Sequence, residues 1–250
     1  MSNIPDTLTI DTPNGLPNFD LAVLGGVKLE SMAEAGARII ECHRVLRKGG
    51  LNIVGEVLRE QGTFFEFDHY PKDDVFDEET HSQYYYHAHR PEAGEHGHFH
   101  LFIRQPGMPD GVSPVAYDGE EEWPTGDQAL THLVAVAMDA YGFPIGLFAT
   151  NRWVTAEAWY SAGDIIAMLD RFRIDHAFPS WPVNIWLSNV PVLFRPQVEW
   201  LLLERDRVVA QWREDHPGVD VFEDRSLAIA AYLPINVETQ IKAVLAAMGD

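Results

Sequence analysis

From Gln83 to Arg104 the chain alternates two kinds of side chain on either side of a turn signal. Gln83 to Arg90 reads Gln-Tyr-Tyr-Tyr-His-Ala-His-Arg, Pro91-Glu92-Ala93-Gly94 is turn-forming, and Glu95 to Arg104 reads Glu-His-Gly-His-Phe-His-Leu-Phe-Ile-Arg. Period-two alternation is the pattern of a strand, and two such runs around a Pro/Gly turn predict a β-hairpin. A turn over 91–94 sets His89 opposite His96, His87 opposite His98 and Tyr85 opposite His100. Because side chains alternate along a strand, His87, His89, His96, His98, His100 and Tyr85 share one face. Tyr84, Tyr86, Ala88, Phe99, Leu101 and Ile103 share the other. The second face has to be buried against something, and the first needs a reason to gather imidazoles.

A metal supplies that reason. Opposed Cβ atoms are about 4.5–5.5 Å apart, which lets ring nitrogens converge at metal–ligand distances of about 2.0–2.1 Å. The candidate metal ligands are therefore His87, His89, His96, His98 and His100. Glu66, Asp68 and Asp73 are nearby carboxylates that can add to them, and Tyr85 or Glu95 can orient them. Imidazole suits iron, copper, zinc and nickel. Iron or copper is expected ahead of zinc, because Tyr84, Tyr85, Tyr86, Phe99 and Trp153 surround a nitrogen site without thiols. Tyr85 and Arg152 are the candidate catalytic residues, Arg152 as a positive charge for an anionic substrate group, with an ordinary salt bridge as its plainer role. Seven of the eleven histidines fall between His69 and His100. His69, His81 and His132 are placed to join the site, whereas His43, His176 and His216 read as ordinary surface or core residues.

Charge limits the partners. Against 18 Lys+Arg stand 38 Asp+Glu, a formal net charge of -20, which disfavours duplex nucleic acid and anionic membranes and leaves a small-molecule substrate. Oligomeric state is left open. The N-terminal stretch has no basic region followed by an apolar one, and the apolar runs are broken well short of the ~20 residues of a membrane span. Cys42 is the only cysteine, so disulfides and thiolate metal sites within one chain are excluded and a reducing cytoplasm is the expected setting.

The rest of the chain reads as one α+β domain, 1–250, with an extended lead-in over 1–28. Apolar residues spaced by three and four predict a helix from Leu29 to Lys48, closed by Gly49-Gly50. A short helix over Ile53–Gln61, a strand over Thr63–Phe67 and a loop over Asp68–Thr80 follow. A second hairpin spans Thr131–Asp139 and Pro144–Asn151. Between the hairpins, Gln105–Asp127 reads as a long surface loop with the length of a lid. Ser161 and Asp164 cap a helix running to Arg173, Val183–Phe194 is a buried segment interrupted by proline, and Pro196 opens a long helix. Leu227–Ile235 is a last strand before a helix capped by Asn236. The expected architecture is an antiparallel sheet of two hairpins, with helices on one face and a mostly helical C-terminal half.

Two resemblances can be traced. His96-Gly97-His98-Phe99-His100-Leu101-Phe102 resembles the histidine-triad pattern of nucleotide hydrolases and transferases, which implies His98 as nucleophile through a phosphoimidazole. Gly97 departs from that pattern, and His87 and His89 fall outside it. More widely, the Gln83–Arg90 and Glu95–His100 segments, with Thr150-Asn151-Arg152-Trp153-Val154-Thr155 and Ser180-Trp181-Pro182-Val183-Asn184, resemble an uncharacterised bacterial domain family from about Glu34 to Arg207. That resemblance implies a family-specific domain and no activity. Three functional readings follow: a metal-dependent oxidoreductase, a phosphoryl or nucleotidyl transferase acting through His98, and a metal-binding protein without turnover.

Overall fold

The computed structural model describes residues 16–89, 94–119, 121–127 and 129–249. Most of the expected lead-in and the turn at 91–93 lie outside them. Helix α1, Gly26–Lys48, buries Leu29, Met32, Ala35, Ile39, Cys42 and Leu46 along one stripe. Helix α2, Ile53–Leu58, is opened by Asn52, whose side chain accepts the Gly55 amide at 2.8 Å. Strands β1 (Tyr70–Phe76), β2 (Ser82–His87), β3 (Gly97–Arg104), β4 (Leu130–Met138) and β5 (Pro144–Thr150) come next. Helices α3 (Arg152–Thr155), α4 (Ala162–Met168), α5 (Trp181–Leu193) and α6 (Arg195–Asp215) precede strand β6 (Ile229–Pro234) and helix α7 (Val237–Met248). The strands form one antiparallel sheet in the order β1-β2-β3-β4-β5-β6. The fold is α+β, as the pattern of elements predicts.

One face of the sheet carries the main core. Tyr84, Tyr86, Phe99, Leu101 and Ile103 are buried there with Val134, Val136, Leu147 and Leu233, in one cluster with Met32 and Ile39 of α1 and Trp186 and Leu187 of α5. Each such side chain contributes roughly 1.5–3 kcal/mol on burial. A slip of one residue would carry the imidazoles of β2 and β3 into this core, so the core fixes the register and the register fixes the other face.

Three sequence expectations change. Thr63–Phe67 is not a strand, and the outermost strand β1 lies in the stretch expected to be a loop. An edge strand tolerates Pro71 and exposed charges such as Lys72 and Asp73, and the irregularity between Tyr70 and Val75 erases the period-two pattern. Helix α4 stops at Met168, and a single tighter turn, Leu169–Arg171, replaces its expected continuation to Arg173. The long loop is tied to the body of the protein: Val115 N–H donates to the Trp159 carbonyl, Trp123 Nε1 donates to the Val115 carbonyl, and Tyr117 bonds Asp220. It packs on a second apolar cluster of Trp159, Val209, Val221, Phe222 and Leu227. Among the described residues no helix is long and apolar enough to cross a membrane.

Candidate metal centre

Strands β2 and β3 pair in the register expected from the turn, with His87 opposite His98 and Tyr85 opposite His100. His87, His98 and His100 are buried at 8%, 1% and 0% exposure. A nitrogen from each lies within 4.8 Å of the others, so the three can hold a metal ion. Their ring centroids stand 4.4 Å (His87–His98), 4.9 Å (His98–His100) and 5.2 Å (His87–His100) apart.

Two neighbours hold two of the three imidazoles at their Nδ1 atoms. Glu95 accepts from His98 Nδ1 at a buried position. A carboxylate only accepts, so Nδ1 carries the proton and Nε2 keeps its lone pair. His100 Nδ1 lies 3.0 Å from His132 Nε2, and His132 Nδ1 faces the Thr150 hydroxyl at 3.4 Å. Burial, reinforced by the Arg205 charge, pushes the His132 pKa down to about 3, so that ring is neutral. The His132 tautomer protonated at Nδ1 accepts from His100 Nδ1–H and leaves His100 Nε2 as the lone-pair nitrogen, whereas the other tautomer donates to His100 Nδ1.

His132 reaches this face because β4 is irregular. His100 pairs with Ala135 and Leu101 with Val134, but Phe102 pairs with His132, so Leu133 is the extra residue of a β-bulge. Leu133 and Val134 both enter the core, and the residues beyond them change sides. The buried Glu157 carboxylate fixes this turnover, accepting the His132 N–H at 2.6 Å and the Thr131 hydroxyl at 2.8 Å.

The donor set fits a nitrogen-bound transition metal. His87 Nε2 and His98 Nε2 are 2.6 Å apart, a spacing that places one proton between two lone pairs. A tetrahedral ion holds such nitrogens about 3.3 Å apart, so replacing the proton by a metal parts the rings by less than about 1 Å. An open pocket of about 370 Å³ adjoins the centre, lined by Phe64, Glu66, His89, Glu95, His96 and Ala140. Its size is that of a small-ligand site.

The profile of a domain of unknown function, DUF6969, matches residues 33–235. The chain belongs to the DUF6969 family. No curated protein and no solved structure matches it.

The remaining sequence-derived candidates of this DUF6969 domain separate clearly. His89 stays beside the centre, its ring 4.9 Å from that of His87 and 5.0 Å from that of His98, with Phe67 stacked on it at 5.1 Å. His96 does not join it. Strand β3 begins at Gly97, so alternation does not extend to His96, whose Nδ1 instead lies 2.6 Å from the Tyr86 hydroxyl of the opposite face. Tyr85 packs against two of the three imidazoles, its ring 5.3 Å from His87 and 5.1 Å from His100. Arg152 makes its contacts away from the three imidazoles: it pairs with Glu223, donates to the Glu157 carbonyl at 3.2 Å and packs over Trp123, the salt bridge of its plainer reading. His69 borders the centre through Tyr85, while His81 stands against Phe76 at 6.1 Å. His43, His176 and His216 lie in other contacts, His176 Nε2 bonding the Phe76 carbonyl at 3.1 Å. Glu157 was invisible to pattern reading, since its tie to His132 spans 25 positions.

Proposed function

We propose that this protein is a transition-metal-dependent enzyme acting on a small molecule, with His87, His98 and His100 as the ligands. The supporting observation is the convergence of three buried imidazoles, a nitrogen from each within 4.8 Å of the others, with Glu95 at Nδ1 of His98 and His132 at Nδ1 of His100. Ordinary buried histidines need hydrogen-bond partners, not a shared orientation. Bound iron or copper would supply one-electron chemistry with a position open to substrate. Redox chemistry is preferred to hydrolysis because oxidisable and aromatic rings, Tyr85, Phe102 and Phe148, pack around the imidazoles. Burial raises the Tyr85 hydroxyl well above its ordinary pKa, so Tyr85 meets its neighbours as a protonated phenol. The pocket at His89 and Glu95 admits the substrate, and a reducing cytoplasm suits the single buried thiol of Cys42.

Phosphoryl transfer at His98 is less well supported. Its Nε2 is buried and faces His87 Nε2 at 2.6 Å, where an attacked phosphorus would have to sit.

Elemental analysis of protein purified without an affinity tag tests the reading. About one equivalent of iron or copper per chain is expected, lost in the His87→Ala, His98→Ala double variant. Zinc alone would transfer the site to hydrolysis, and an ion whose coordination is closed would make it a binding protein. Chain that stays metal-free under metal-replete expression would overturn the proposal.

A further inference from the structure

A second carboxylate–imidazole pair stands just outside the three histidines. His69 Nδ1 lies 2.9 Å from Asp74 Oδ1. The other Asp74 oxygen accepts Gln83 Nε2 at 2.7 Å, and Gln83 Oε1 accepts Arg104 Nε at 2.7 Å. Arg104 in turn lies over the Phe76 ring at 4.1 Å. Residues from β1, β2 and β3 thus act together to hold one imidazole.

The backbone is bent to the same end. Asp74 has φ of +57° and stands in the irregular stretch of β1 between Tyr70 and Val75. A non-glycine residue there is uncommon and persists where its surroundings enforce it. The His69 ring stacks on Tyr85 at 3.6 Å and meets the His87 ring edge-on at 5.8 Å. Two imidazoles on one ion keep their ring centroids roughly 5–6 Å apart. The His69 side chain is 40% exposed, in contrast to the buried trio. Asp74 on Nδ1 fixes its Nε2 as the lone-pair nitrogen, as Glu95 does for His98.

We propose that His69 is a further metal ligand, the solvent-side nitrogen that captures the ion together with His87 before it passes inward to His98 and His100. This rests on the metal reading of the trio. An ion that binds there replaces the proton held between His87 Nε2 and His98 Nε2, and that proton is relayed to His87 Nδ1, so that each imidazole stays neutral. Tyr85, stacked on the His69 ring and in contact with the His87 and His100 rings, holds the capturing imidazole beside the trio.

Cobalt(II) loading of chelator-stripped, full-length protein tests this, followed by stopped-flow absorbance of the cobalt ligand-field bands. His69→Phe retains the stacked ring but lacks the lone pair, and Asp74→Asn keeps shape while weakening the anchor. Loading should slow by about 10-fold or more in His69→Phe and several-fold in Asp74→Asn, with stoichiometry near that of wild type. Wild-type rates and affinities in both variants would overturn the capture role while leaving the trio as a metal site. A wild-type chain that takes up no cobalt would remove the trio reading itself, so the wild-type trace alone separates the two failures.

Discussion

A Cβ at Gly97 would fall 2.5 Å from the Tyr86 hydroxyl and 2.6 Å from the His87 carbonyl oxygen. The glycine is what lets the Tyr86 phenol cross β3 to reach His96, and it explains why an apolar residue is missing from the His-x-His-x-His run. Gly97→Ala should cost about 1–3 kcal/mol through overpacking, read as a lower urea midpoint. At the centre itself, His132→Leu keeps a similar volume and withdraws the hydrogen-bond partner of His100 Nδ1. Metal affinity should fall roughly 10–100-fold, measured by competition with a chromophoric chelator, and an unchanged affinity would show that His132 does not orient His100. Alternation made His87, His98 and His100 legible in the sequence because all three lie inside regular strands. It misled at His96 because that residue precedes the strand. Glu95 was legible as an orienter because it is close in sequence, whereas Glu157 acts across the fold and leaves no local pattern.

At the scale of elements, caps and hairpins were the readable features. Asn236 does open α7, accepting the Thr239 amide at 2.9 Å, and Asn236→Ala should cost about 1 kcal/mol in denaturant unfolding. Helix α7 also packs tightly on α1, where a Cβ on Gly36 would meet Ile241 Cγ1 at 2.7 Å. The edge strand β1 was hidden because its charged residues face solvent and its irregularity breaks the period. Helix α5 was legible only as a buried segment, since its apolar residues lie all round it and Pro191 near its end resembles an interruption. Both cases share one physical cause, in that tertiary packing replaces the local pattern that would reveal the element.

Across the whole molecule, a net charge of -20 implies self-repulsion in the folded chain. Raising sodium chloride from about 20 to about 200 mM should therefore raise the melting temperature, because the screening length shortens over that range. Acid works through different groups. His43 is held between Trp186 and Phe143, and burial, with a smaller push from Arg47, lowers its pKa. The unfolded chain takes up this proton below about pH 6.5 while the folded one resists, so stability should fall as pH drops from 7 to 5. Urea midpoints at the two pH values should show a smaller drop in His43→Phe than in wild type.

The bulge at Leu133 works as a half-step in the phase of β4. Before it an even-numbered residue, His132, faces the imidazoles, and after it the odd-numbered Ala135 and Ala137 do. Were the ladder closed with the chain length unchanged, Leu133 would stand opposite Phe102 and His132 would turn toward the apolar layer, whereas loss of Leu133 would leave His132 where it is. Which residue the ladder skips therefore decides which side chain joins the imidazoles, and among sequences that share this sheet the spacing from His132 to Ala135, the residue opposite His100, carries as much chemical information as the identity of either.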